Sequence, residues 1–188
     1  MTIPESSLEE GLQYLRKASV MLWPKGGSSR SSGAGVLERG RAFVNGSWTA
    51  AAQGRVFPVT NPATGAVITE VADMTVEDAG AAIDGAIAAQ AQWRERSGKE
   101  RAAVLRAWHA KLKENREAIA ALITEEQGKP LSEARGEVEF GASFVEWFAE
   151  EAKRLYGDLI PGPTGDRRFV VIKQPIGVCA AITPGIFR

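Results

Sequence analysis

The chain has 188 residues, 44% of them hydrophobic, which suits one domain with a sizeable core. Its 23 basic residues balance its 23 acidic ones, so charge gives no argument for a nucleic-acid or anionic-membrane partner. No apolar run approaches the roughly 20 residues of a membrane span, and the single cysteine, Cys179, excludes an intrachain disulfide and fits a reducing compartment.

Residues 1–40 differ in composition from the remainder of the chain. Leu8–Trp23 has the spacing of a short amphipathic helix, and Lys25–Gly35 (KGGSSRSSGAG) reads as a Gly/Ser-rich linker. Arg16, Lys17, Lys25 and Arg30 lie among serines, but Glu5, Glu9 and Glu10 argue against an organelle transit peptide. Ser19–Trp23 is too short for the apolar segment of a secretory signal. The expectation for 1–40 is a poorly ordered or weakly helical tail.

Order is expected from about Arg41. Ala42–Trp48 places two short apolar stretches around Asn45-Gly46, a pair that tolerates the positive φ of a tight hairpin turn. Val59–Gly65 (VTNPATG) reads as a second turn, and Ala66–Val71 as the third strand of a small antiparallel layer. Three helices are predicted next. The first begins at an N-cap Thr75 with Asp78 three residues on, carries Ala79, Ala82, Ile83, Ala86 and Ile87 at helical spacing, and ends near Trp93. The second begins at Ser97 with Glu100 completing a capping box. Its stripe of Val104, Trp108, Leu112, Ile119, Leu122 and Ile123 runs to Gly128, a natural left-handed terminator. The third runs from Pro130 to Gly157, with Phe140, Phe144, Trp147, Phe148 and Leu155 as its apolar side. Two β-type runs come last, Phe169–Ile172 and Ile176–Ile182, separated by Gln174-Pro175; the second leads into a Thr-Pro turn.

Chemistry-bearing residues are sparse. His109 is the only histidine and lies mid-helix beside Trp108, so a metal site or Ser-His pair has no second member. Cys179 lies in a strand-like apolar run without a neighbouring base, which predicts a buried structural thiol rather than a nucleophile. Glu125, Glu126, Glu137, Glu139, Glu146, Glu150 and Glu151 alternate with bases on helices and read as solvated faces with i,i+4 pairing. Neither the dinucleotide glycine fingerprint nor a Walker loop is present.

The order of motifs says more. FVNGSW, VTNPATGAVITEV, AQWRERSGKERAAVLRAW, ITEEQGKPLSEARGEV and KQPIGVCAAITP together resemble the N-terminal part of the aldehyde dehydrogenase superfamily, over residues 41–184. Ser143–Pro161 (SFVEWFAEEAKRLYGDLIP) with DRRFVVIKQPIGV looks most like the succinate-semialdehyde dehydrogenases. The resemblance implies an α/β fold: antiparallel hairpins, three helices and the first strand of a Rossmann-like sheet, incomplete. It divides the chain into a tail at 1–40, strands and helices of the cofactor-binding domain at 41–166, a bridging strand at 167–175 and a first Rossmann-like strand at 176–188. Within this division, Arg168–Lys173 matches a strand that relatives use for oligomer contact, which implies a homo-oligomer.

The resemblance also implies NAD or NADP as cofactor and an aldehyde, succinic semialdehyde, as substrate, in γ-aminobutyrate degradation. It places Ile182, Thr183 and Pro184 against the cofactor, at the carboxyl end of the first strand. It makes Phe140, Phe144 and Phe148 walls of the substrate tunnel, with ordinary core packing as the alternative. A cytoplasmic location is expected, with the mitochondrial matrix as the alternative.

After Ile-Thr-Pro the family continues Trp-Asn-Phe-Pro, whose Asn helps hold the oxyanion, whereas this chain reads Gly185-Ile186-Phe187-Arg188. The family's cofactor lysine, general-base glutamate and nucleophilic cysteine fall beyond that point, and Cys179 does not match the nucleophile. The expectation is a chain with no catalytic residue of its own, inactive alone. It is either a partial enzyme, a truncated isoform that binds full-length subunits, or an incomplete gene product. A strand at Val178–Ile182 without its later partners would leave an open edge and uncovered apolar faces. The 188-residue polypeptide is therefore predicted to melt broadly and to aggregate; a sharp cooperative melt of a soluble monomer, followed by circular dichroism and light scattering, contradicts this.

Overall fold

The computed structural model describes residues 40–182. The segment Leu8–Trp23, the linker Lys25–Gly35 and the Thr183-Pro184 turn lie outside the described residues.

Two hairpins open the fold. β1 (Ala42–Val44) pairs antiparallel with β2 (Ser47–Thr49), and the Asn45-Gly46 turn between them takes φ of 50° and 77° as its composition demands. Phe43 and Trp48 face each other across the pair, ring edge to ring face with centroids 5.0 Å apart, and Trp48 is buried. β3 (Val56–Thr60) pairs antiparallel with β4 (Val67–Ala72). β4 lies one residue further along than the predicted Ala66–Val71. β3 is additional: Pro58 hides it in the sequence, because proline suits only a strand with a free edge, and β3 pairs on one side alone. Asn61 forms the turn, its side-chain carbonyl accepting from the backbone N–H of Ala63 at 2.9 Å and of Thr64 at 3.3 Å.

The helices are α1 (Val76–Glu95), α2 (Gly98–Glu114), α3 (Arg116–Gln127) and α4 (Leu131–Glu151). Both predicted capping boxes are present, Thr75 with Asp78 and Ser97 with Glu100. Asp78 also accepts from the backbone N–H of Ala52 at 3.3 Å, which ties α1 to the loop after β2. Gly85 on α1 lies so close to Asn45 of the hairpin turn that a Cβ there would meet the amide oxygen at 1.7 Å. The half-buried side of α1 holds Ala79, Ala82 and Ala86, whereas Ile83 and Ile87 are exposed.

The predicted helix from Ser97 to Gly128 is two helices. Asn115 breaks it: at φ −100°, ψ 13°, its side-chain amide donates to the Lys111 carbonyl at 2.8 Å, and its own carbonyl accepts from Ile119 at 3.0 Å. The break is hidden because the seven-residue step from Leu112 to Ile119 keeps the rhythm of a continuous helix. Gly128 closes α3 with φ 75°, as expected.

The third predicted helix corresponds to α4 but ends at Glu151, six residues before Gly157. Its inward side is also not the predicted one. Ala134, Val138, Ala142 and Ala149 are buried, and α4 packs by them on α2 and α3, where Ala102 and Ala120 are buried in turn. Phe140, Phe144, Trp147, Phe148 and Leu155 are exposed. Methyl-sized side chains let helix backbones approach closely, and rings would hold them apart.

Gly157 has a different role from helix closure. It admits the Val171 carbonyl, which a Cβ would meet at 2.0 Å, where β5 (Asp158–Pro161) turns back along β6 (Arg168–Val171). β6 corresponds to the predicted run Phe169–Ile172; β5 has too few residues to signal itself. The run Ile176–Ile182 forms no strand, and its residues are exposed. A strand exists through its ladder, and no described element pairs with this one. Cys179 is therefore exposed rather than buried, its sulfur 3.9 Å from the Gly177 carbonyl.

Two glycines separate packing from propensity. Gly136 on α4 has nothing within 4 Å of a built Cβ, so Gly136→Ala should stabilise the chain by about 0.4–1 kcal/mol. Gly98 faces the Ala152 carbonyl, which a Cβ would meet at 2.3 Å, so Gly98→Ala should destabilise it by about 1–3 kcal/mol. Urea titration of the helical circular dichroism measures both.

Candidate functional site

The residues singled out for chemistry lie on α4 and on the segment after β6. Phe140, Phe144 and Phe148 succeed one another at four-residue steps, one helical face, with Trp147 beside them. The Phe140 and Phe144 rings meet edge to face at 80°, centroids 4.8 Å apart. The four aromatics are 50–65% exposed, so they form an open wall rather than a core. The wall offers an apolar surface with edge-on rings and no titrating group of its own.

Acidic and basic side chains fix this helix to its neighbours. Glu139 accepts from Lys113 of α2 and lies 2.7 Å from Nε of Arg116 at the start of α3. That second contact is an ion pair without hydrogen-bond alignment. Arg135 donates through Nε to both carboxylate oxygens of Glu117, at 3.2 and 2.9 Å, and its Nη2 lies 2.8 Å from Oε2. Glu150 pairs with Arg106 of α2 at 3.3 Å and with Lys153 at 2.6 Å. The carboxyls of Glu139, Glu117 and Glu150 are held below the ordinary glutamate range, chiefly by hydrogen bonds from Lys113, Arg135 and Lys153 respectively. Glu139 and Glu150 thus pair between helices, and Glu150 and Glu151 also pair at i,i+3 at the end of α4.

Buried charge is the feature the sequence did not announce. Lys129 lies between α3 and α4, is 7% exposed, and donates to Glu137. A lysine within Gly-Lys-Pro carries no periodic signal; only the geometry of that turn withdraws it from water.

The other candidates remain apart. Ile182 is 47% exposed, and Thr183 and Pro184 lie outside the described residues. His109 is half-buried on α2. Among the described residues no three His, Cys, Asp or Glu side chains are grouped as metal ligands, and no helix is long and apolar enough to cross a membrane.

Hairpins, a helical layer centred on α4 and a β5–β6 ribbon make up the α/β arrangement of the described residues. The aldehyde dehydrogenase family model matches residues 48–184, and the chain belongs to that family. It is 54% identical over 151 residues to glutarate-semialdehyde dehydrogenase of Pseudomonas putida, covering 80% of this chain and 32% of that protein. It is 52% identical over 151 residues to the NADP(+) succinate-semialdehyde dehydrogenase GabD of Escherichia coli, covering 80% of this chain and 31% of that protein. A crystal structure of succinate-semialdehyde dehydrogenase from Burkholderia pseudomallei superposes with a TM-score of 0.74 at 45% identity, covering 82% of this chain and 31% of that one. The chain thus spans about a third of the length of the relatives it matches.

The ion pairs give a pH dependence with a defined sign. Carboxyls depressed in the folded chain contribute stability above their unfolded value of 4.5, and that stability is lost as pH falls through the folded values. Thermal unfolding should therefore move to lower temperature between about pH 5 and about pH 3, and by less in high salt, which screens exposed pairs. Neutralising Glu117, Glu139 and Glu150 together by Gln should flatten the profile read by circular dichroism.

Proposed function

We propose that the chain supplies the N-terminal portion of a semialdehyde dehydrogenase subunit, an enzyme that oxidises an aldehyde bearing a distal carboxylate to the acid with NAD(P)+. The identity of half or more with succinate- and glutarate-semialdehyde dehydrogenases, over 80% of the chain, carries this reading. Succinic semialdehyde is the proposed substrate, with the marker stretch Ser143–Pro161 in its favour. NADP is named for the Escherichia coli relative, which supports NAD(P) as the cofactor class. That cofactor class would supply the acceptor for a hydride lost by the aldehyde carbon.

In this reading the wall of Phe140, Phe144 and Phe148 lines the approach of the aldehyde. Its exposed rings suit an apolar lining that another part of the subunit completes. Ile182, Thr183 and Pro184 border the cofactor. Residues 1–188 by themselves lack the thiol, the general base and the oxyanion amide that acyl chemistry of this family requires, and are inactive alone.

A second reading, a non-catalytic chain that binds full-length subunits, has the β5–β6 ribbon in its favour. Leu159, Ile160, Phe169, Val170 and Val171 are all exposed on it, and no described strand pairs with its outer edges. A spectrophotometric assay with succinic semialdehyde and NAD+ or NADP+ tests the first reading. No cofactor reduction is expected from the purified 188-residue chain, and turnover by it would overturn the claim of inactivity. Co-purification with a full-length relative would favour the second reading.

A further inference from the structure

α4 meets α2 and α3 by its alanine face, and Phe144, Trp147 and Phe148 stand on the other, 50%, 65% and 58% exposed. A fully buried aromatic side chain removes roughly 150–250 Å² from water. Three such rings on one helix face make an apolar patch of the size that marks an interaction site.

The chain itself carries a segment of matching pattern. Residues 1–39 lie outside the family match at 48–184 and precede β1. Within them Leu8, Leu12, Leu15 and Leu22 follow at steps of four, three and seven, one face of a helix. A helix of that length is marginal by itself and is stabilised chiefly by packing its apolar face. Pro24 cannot continue it, and the Gly/Ser-rich linker Lys25–Gly35 follows.

The described residues fix where this linker ends. The Gly40 carbonyl accepts from the Ala72 N–H at 2.9 Å, at one end of β4. Beyond the other end of β4, the ring of Pro62 lies against Gly128, just before α4, where a Cβ would meet it at 3.1 Å. The path along β4 and then up α4 to Phe144 is roughly 40 Å. The stretch from Trp23 to Gly40 extends to roughly 58 Å, so the leucine segment reaches the wall. Because the linker returns towards the N-terminal end of α4, the segment runs antiparallel to α4. That direction brings Lys25 towards Glu133 in the first turn of α4, and Glu5, Glu9 and Glu10 towards Lys153 and Arg154 beyond its last turn. The signs match, which favours this register. A short flexible tether also gives a local concentration of about millimolar, which favours the chain's own segment over a second copy.

We propose that Leu8–Leu22 lies as an antiparallel helix on the aromatic wall of α4, with Leu12 and Leu15 against Phe144, Trp147 and Phe148. Its seat is the surface that the function proposed above gives to the approaching aldehyde, but the contact does not rest on that function.

The test uses the 188-residue chain with 13C-labelled aromatic rings and isoleucine methyls. A nitroxide at Lys17→Cys, in a Cys179→Ser background, sits away from the leucine stripe. It should broaden the ring resonances of Phe144, Trp147 and Phe148. No broadening there, or broadening instead of Ile83 and Ile87 on the exposed side of α1, overturns the proposal. Equal broadening in a mixture of nitroxide-bearing chains with isotope-labelled chains that carry none assigns the wall to a second copy and overturns it as well. Leu12→Asp with Leu15→Asp, free of any nitroxide, should move the three ring resonances while the helical circular dichroism of α1–α4 is kept. Unmoved resonances in that variant overturn the proposal whatever the nitroxide does to the segment. No readout depends on aldehyde turnover, so this proposal and the dehydrogenase reading fail separately.

Discussion

The close approach of α4 to α2 and α3 through alanine is the constraint on which the described structure depends. Ala134, Ala142 and Ala149 on α4, Ala102 on α2 and Ala120 on α3 are almost wholly buried, and Val138 joins them. Each methyl contributes little transfer energy by itself. Together they remove the bulk that would keep the backbones apart, so dispersion contacts accumulate along the helices. Ile119 and Ile123 pack against Ala120, Ala134 and Val138.

The rest of α4 is arranged by that choice of face. With the alanines inward, Phe140, Phe144, Trp147 and Phe148 stand on the far side. Glu139 and Glu150 reach bases of α2 and α3, and Arg135 reaches Glu117 of α3, so these ion pairs run between helices. The first hairpin joins the layer by different means: Asn45 against Gly85, and the Asp78 carboxylate on the Ala52 amide. The β5–β6 ribbon leaves the layer at Gly157, whose missing side chain lets the two strands close. The aromatic wall and the segment after β6 are thus both open surfaces, on a chain about a third as long as the relatives it resembles.

Features governed by neighbours in sequence were legible. Asn45-Gly46, the Thr75 and Ser97 capping boxes and Gly128 each need only their own backbone conformation, and each appears where its residues placed it. Membership of the aldehyde dehydrogenase family was legible too, because five short motifs hold their order and spacing. Features that depend on a partner were not. Asn115 divides a stripe whose rhythm continues across it. β3 and β5 exist by pairing with β4 and β6, and β3 carries Pro58, a residue strands rarely hold. Val178–Ile182 has a strand's composition and no strand beside it among the described residues.

The candidate site shows the same division. Four-residue steps put Phe140, Phe144 and Phe148 on one face, and that much comes from helix geometry. Which face turns inward is a competition between two apolar stripes, and sequence alone favours the larger residues. The tertiary structure decides for the smaller ones, because helix backbones gain more contact by closing on alanine than by standing off on rings. It also decides that Lys129 is buried and Cys179 exposed, since burial is set by the elements that surround a side chain and not by the residues beside it in the chain.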